Sequence, residues 1–100
     1  MIFWDEVSGF RWIEWNIDKV LSHGVTPAEA EWVVARAKPP YPQGAGEEKF
    51  LVKGSTSAGR MIQVIFVTEE DDSIFVIHAR PLTDREKWQE SRRKRRRGNR

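Results

Sequence analysis

Ile74-Phe75-Val76-Ile77-His78-Ala79-Arg80-Pro81-Leu82-Thr83-Asp84-Arg85-Glu86-Lys87-Trp88 carries a strand into a helix within a few residues. The apolar run at 74–77 is rich in β-branched and aromatic side chains, which suit a pleated, half-buried surface. Thr83 and Glu86 have capping-box spacing, so a helix starts there with exposed backbone N–H groups and a carboxylate beside them. His78 and Arg80 lie two apart, which on a regular strand places both on the face begun by Ile74 and Val76. Two cations at a strand end, facing a helix start, form a corner suited to phosphate.

Upstream, Ile13, Ile17, Val20 and Leu21 recur at helical spacing, and Gly24 followed by Val25 gives a left-handed stop, so the first helix ends near His23. Thr26-Pro27-Ala28-Glu29 starts a second helix with Thr as cap, Pro at the first helical position and Glu three residues on. That helix stops before Pro39-Pro40, because proline disfavours helical geometry at Lys38. Residues 39–46 form a Pro- and Gly-rich loop. Three strands follow at 50–53, 61–68 and 73–80, separated by the Gly54 to Gly59 turn segment and by Glu69-Glu70-Asp71-Asp72. They predict an antiparallel meander covered by helices, an α+β domain over residues 1–91, with residues 1–10 a short strand or an extension. The last helix carries Trp88 and dissolves at 92–97, where like charges four apart oppose helix formation. Residues 92–100 are therefore expected to be a disordered basic tail.

The 100 residues are 39% hydrophobic, enough for one small domain that buries roughly 60 to 65% of the surface its unfolded chain exposes. Five Trp and five Phe predict a core centred on large aromatics. Without cysteine there is no disulfide frame, thiolate nucleophile or Cys-based metal site. The acidic start, Asp5-Glu6, does not suit a secretory signal, and no apolar run approaches the roughly 18 residues that span a bilayer. Cytoplasmic location and no membrane partner are the expectation. The net charge of +2 hides an asymmetry: residues 92–100 hold seven of seventeen bases, leaving ten against fifteen acids elsewhere. A body of −5 and a tail of +7 call for a partner carrying local negative charge.

Asn16, His23-Gly24-Val25-Thr26, Glu29-Ala30, Gly59-Arg60, Ala79-Arg80 and Glu86 before a basic carboxyl end together resemble the BrnT-type toxins. The resemblance covers roughly residues 12–92, and the order of the motifs is what carries it. It implies a RelE-like fold with two N-terminal helices, a small antiparallel sheet and a C-terminal helix. It further implies a ribonuclease of a bacterial type II toxin–antitoxin pair, held by a BrnA-like ribbon-helix-helix antitoxin. RNA would be the substrate and the ribosome a further partner wherever cleavage depends on it. The sequence departs from the pattern at residues 1–10, at His78 and at Trp88.

Metal-independent cleavage of RNA needs a base for the 2′-hydroxyl, an acid for the leaving oxygen and cations around the phosphorus. Arg60 and Arg80 are candidate phosphate clamps because the guanidinium fork holds two oxygens at once; Lys53 adds a point charge. His78 and His23 are acid–base candidates, with Glu86 a third titratable group. Trp88 offers a stacking surface, and Arg92, Arg93, Lys94, Arg95, Arg96 and Arg97 offer contacts to the RNA backbone. Each has a structural alternative: His23 and Glu86 as helix caps, Trp88 as core, Lys53 as a solvated strand residue. Arg60 and Arg80 share a site only if the strand register sets them on one face. Two His 55 positions apart, scattered acids and no nucleotide-binding glycine motif predict neither metal nor cofactor. The alternatives to a ribonuclease are a non-catalytic interaction module or a nucleic-acid binder. A helix-turn-helix around Gly24 is disfavoured by Glu29 and Glu31 at the start of the supposed recognition helix.

Overall fold

The computed structural model describes residues 9–98, with side chains through Arg93. Its elements in order are β1 (Gly9–Phe10), α1 (Glu14–Ser22), α2 (Pro27–Ala35), β2 (Gln43–Gly44), β3 (Lys49–Ser55), β4 (Met61–Thr68), β5 (Ser73–Pro81) and α3 (Asp84–Gly98). One sheet forms in the order β1-β5-β4-β3-β2. The α+β class and the antiparallel β3-β4-β5 meander agree with the sequence reading. Two short edge strands extend it, and β1 runs parallel to β5, so the sheet is mixed. Residues 1–8 of the expected N-terminal extension lie outside the described residues. Among the described residues no helix is long and apolar enough to cross a membrane.

The helix signals operate as their chemistry dictates. Thr26 Oγ1 accepts from the Glu29 N–H at 3.1 Å, and Glu29 Oε1 accepts from the Thr26 N–H at 2.9 Å. Gly24, at φ +78°, supplies the left-handed turn that separates α1 from α2. The backbone of α3 continues to Gly98, past the point where charge repulsion was expected to end it. Arg, Lys and Gln are strong helix formers, and each like-charge pair four apart costs only about 0.2–0.5 kcal/mol, so propensity outweighs repulsion there.

The core lies between the two N-terminal helices and one sheet face. Val20, Val25, Ala30, Val33 and Val34 pack with Val52, Ile62, Val64, Phe66, Ile74, Val76 and Ala79. α2 approaches β3 so closely that a Cβ on Gly54 would sit 3.2 Å from Val33 Cγ1. The expectation of an aromatic centre is overturned: Phe66 is the one large ring among the biggest fully buried side chains, while Trp15, Trp32 and Trp88 are exposed. β-branched residues fill the narrow layer between helix and sheet, and the three exposed tryptophans lie at the rim against cations. Arg36 covers Trp32 at 3.3 Å and Arg92 covers Trp88 at 4.9 Å.

β5 is not regular. Ile65 pairs with His78 but Phe66 pairs with Val76, so Ile77 is an extra residue, a bulge that changes which face the following side chains join. Ile74 and Val76 are fully buried before it, and Ala79 is fully buried after it. His78 and Arg80 therefore do not share the face of Ile74 and Val76, as a regular strand would have required. Beside the bulge, Asn16 donates from Nδ2 to Val76 O and Arg11 O, both at 3.1 Å, and accepts from the Ile13 N–H at 2.7 Å. The side chain is wholly buried. Replacing Asn16→Ala orphans these groups and should cost about 1–3 kcal/mol, read as a lower urea midpoint. An unchanged midpoint would mean that water takes over all three bonds.

Candidate active site

Cross-strand pairing defines the face turned away from the core. Lys53 pairs with Gln63 and Gln63 with Arg80; Leu51 pairs with Ile65 and Ile65 with His78. Paired residues project from the same side of a sheet. Arg80, Gln63 and Lys53 thus form a polar row across three strands, with His78 in the neighbouring row.

Arg80 is held on every side. Nη1 donates to Pro81 O at 3.1 Å and Glu86 Oε1 at 2.8 Å, and Nη2 donates to Gln63 Oε1 at 3.4 Å and Glu86 Oε2 at 2.8 Å. Four of the five guanidinium N–H groups are therefore engaged. Glu86 also accepts from the Thr83 N–H at 2.8 Å and closes the capping box of α3. Its hydrogen bonds to Arg80, aided by the Thr83 backbone, hold its carboxyl far below the usual carboxylate range. The same contact raises Arg80 above its ordinary value. Glu86 is consequently ionised at neutral pH, with no proton to give and little basicity. It caps the helix and orients Arg80.

His23, the C-cap of α1, meets His78 edge to face with ring centroids 5.2 Å apart. Burial, followed by the neighbouring His23, Arg80 and Lys19, lowers His78 below its ordinary value of 6.5. A neutral imidazole of this kind has a free nitrogen lone pair near pH 7. Rings in such close contact leave no room for a phosphate between them.

Arg60 is elsewhere. Its Nη1 lies 3.3 Å from both Glu29 oxygens, and a Cβ on Gly24 would lie 3.5 Å from its Nη2. Arg60 precedes β4, whose Gln63 faces Arg80, and the two guanidiniums are engaged by different glutamates, Arg60 by Glu29 and Arg80 by Glu86. Arg60 instead braces the α1–α2 joint against the β3–β4 turn. Lys53 has no ion-pair partner among the described residues. Trp88 is 57% exposed, which excludes the core alternative. Arg93 lies 3.6 Å from Glu90; the side chains of Lys94, Arg95, Arg96 and Arg97 lie outside the described residues.

No family model matches the sequence. No curated protein matches it significantly. Among solved structures, the crystal structure of the Brucella abortus ribonuclease toxin BrnT matches with a TM-score of 0.58 and 22% identity, over 76% of this chain and 97% of that one. The chain has the BrnT fold. On that fold, Arg60 joins Glu29 beside Gly24, Arg80 joins Glu86 at the end of β5, and His23, next to Gly24 in the chain, meets His78. Gln63 is the site residue that sequence reasoning missed. Its signal was a lone amide inside the apolar run Met61-Ile62-Gln63-Val64-Ile65.

The histidine contact generates a measurable expectation. In an NMR titration, His78 should lose its proton below pH 6.5. Substituting His23→Ala removes a like charge and part of the burial, so the His78 midpoint should rise. A midpoint that stays put would separate the two rings electrostatically.

Proposed function

We propose that the chain is a metal-independent ribonuclease toxin of a type II toxin–antitoxin pair, acting on messenger RNA in the bacterial cytoplasm. What supports the reading is the contact of His78 with His23, with Arg80 two residues further along β5, on a BrnT-like sheet. A ribbon-helix-helix antitoxin is the partner that the resemblance implies. In this reading Arg92 and Arg93, both exposed on α3, serve the RNA backbone together with Lys94, Arg95, Arg96 and Arg97 that follow them in sequence, and the exposed Trp88 serves a base.

In this reading the scissile phosphate exchanges into the Arg80 guanidinium, taking donors now used by Gln63 and Glu86. His78 accepts the 2′-hydroxyl proton, O2′ bonds to phosphorus, and the P–O5′ bond breaks with its electron pair on O5′. The leaving oxygen takes a proton from solvent on the open side, and the product carries a 2′,3′-cyclic phosphate. His78 returns its proton to water, so atoms and charge balance. His23 keeps His78 neutral by proximity, and Arg80 stabilises the charge that grows on the nonbridging oxygens.

The test is cleavage of end-labelled single-stranded RNA in excess chelator. Fragments ending in cyclic phosphate are expected, with Arg80→Ala slower by on the order of a hundredfold or more and Arg60→Met close to wild type. The rate should climb through an acidic limb below pH 6.5 and then level off, because His78 must be neutral. Glu86→Gln preserves the cap and removes the competing charge, so RNA binding should tighten several-fold. Intact RNA that still binds would favour a non-catalytic interaction module. Equal cutting by wild type and Arg80→Ala would remove Arg80 from the mechanism.

A further inference from the structure

Helix α1 meets strand β5 through two ring contacts. Near the start of α1, Trp15 stacks on Phe75 with centroids 6.1 Å apart and planes inclined by 7°. At its end, His23 meets His78 at 5.2 Å. Lys19 lies between them: its Nζ is 5.9 Å from the Trp15 ring, and after burial, His23 and Arg80 it is a further cause of the lowering of His78. Trp15, Lys19 and the C-cap His23 follow at i, i+4 and i+8, which sets them on one flank of the helix over about 12 Å. The exposed acids Glu14 and Asp18 fall on the next flank, away from β5.

Trp15 is 53% exposed, yet its ring is held. Phe75 supports the indole, and the Arg11 guanidinium backs Phe75 at 4.5 Å from the ring centroid. Arg11 is itself fixed by Glu69, with both hydrogen bonds at 2.6 Å. A ring that is ordered before binding loses little rotamer freedom when a ligand stacks on it. The other tryptophans offer less at this place. Trp32 carries Arg36 over its face at 3.3 Å, Trp88 stands on α3, and Trp12 is half-buried and donates to Glu31. Lys19 has no ion-pair partner among the described residues. An indole platform, a free ammonium and a histidine pair in line match the order of base, phosphate and reacting linkage along a single strand. An apolar peptide would use Trp15 but leave Lys19 without a counter-charge.

We propose that Trp15 and Lys19 form a subsite for a nucleotide beyond the scissile linkage of single-stranded RNA, with Trp15 stacking on its base and Lys19 meeting a backbone phosphate on the way to the histidines. The proposal rests on the ribonuclease reading and adds to it a platform that holds the strand along α1. Stacking does not read the edge of a base, so the subsite accepts any base and contributes affinity. Lying about 12 Å along the helix from His23, it acts on KM and on the length of substrate used, and leaves kcat unchanged.

The test uses the full chain and short single-stranded oligonucleotides in which an abasic residue is moved stepwise away from the cleaved linkage, read as kcat and KM. The same series made non-cleavable by 2′-O-methylation is read as binding by fluorescence anisotropy. In wild type, one abasic position should raise KM on the order of tenfold. Trp15→Leu keeps an apolar contact for Phe75 and should abolish that penalty, whereas Trp15→Tyr should retain it. Lys19→Gln should lower the salt dependence of binding by about one counterion and keep the abasic penalty. A dinucleotide, too short to reach Trp15, should be cut equally by wild type and Trp15→Leu; a loss there would make Trp15 a structural staple and overturn the subsite. If no abasic position matters, or every penalty persists in Trp15→Leu, the subsite is overturned and the ribonuclease reading stands. If nothing is cut, the ribonuclease reading fails and the binding series decides: an abasic penalty that Trp15→Leu removes supports the platform, and binding indifferent to either change overturns it.

Discussion

The extra residue at Ile77 is the constraint that lets one strand serve both the core and the outward face. Before it, Ile74 and Val76 face the helices; after it, Ala79 does, while Arg80 pairs with Gln63 on the other side and His78 meets the end of α1. Continued at regular alternation, β5 would drive an imidazole and a guanidinium toward Val64 and Ile62. Burying an unpaired arginine costs several kcal/mol, a large share of the 5–15 kcal/mol that keeps a domain folded. The bulge avoids that cost by shifting the phase of the strand. Asn16 lies at the same place, and its bond to Val76 O ties α1 to the strand edge. Since α1 ends at His23, this anchor at its start helps to fix where its last residue meets His78.

The pattern of hydrophobicity explains why most of the fold was legible and this feature was not. Thr26-Pro27-Ala28-Glu29 and Thr83-Asp84-Arg85-Glu86 announce helix starts through local chemistry, and the strands between Gly59 and Pro81 are long enough to declare themselves. Ile74-Phe75-Val76-Ile77 is apolar at both parities, so it carries no mark of where alternation slips. Strand register also depends on the partner strand. The separation of Arg60 from Arg80 shows in the glutamate that each meets, Glu29 or Glu86, a long-range property that spacing along the chain does not encode. The tryptophans misled for a related reason: their size suggests a core, but each of the three exposed ones lies near a basic side chain at the rim.

Three arginine–glutamate pairs tie distant parts of the molecule together. Arg11 and Glu69 join the β1 edge to the β4–β5 turn, Arg60 and Glu29 join the β3–β4 turn to α2, and Arg80 and Glu86 join β5 to α3. All three are partly open to water, so each contributes only modestly to stability. Their consequence is geometric, because a bidentate guanidinium fixes direction as well as distance. The motif residues that resemble the BrnT toxins divide between two such joints, one bracing the helices and one beside the histidines. The two meet at His23-Gly24, where Gly24 lies against Arg60 and His23 against His78.

Arg80 differs from the other two in donating to an amide and a backbone carbonyl, Gln63 and Pro81, as well as to its carboxylate. With four donors already engaged, a phosphate does not find an empty socket; it must exchange for Gln63 and for a carboxylate of similar bidentate geometry. Such an exchange conserves the number of charge-assisted bonds, so the free arginine is never left bare and the bound one gains only the difference between two anions. The carboxylate displaced from Arg80 keeps its second partner, the Thr83 N–H at the start of α3. In the proposed reaction the cap thus retains Glu86 close by when the guanidinium turns to substrate. Under that proposal a weakly bound anion does not displace Glu86, whereas a phosphate with further cationic contacts does, so selectivity for a polyanion rests on several simultaneous contacts rather than on Arg80 alone.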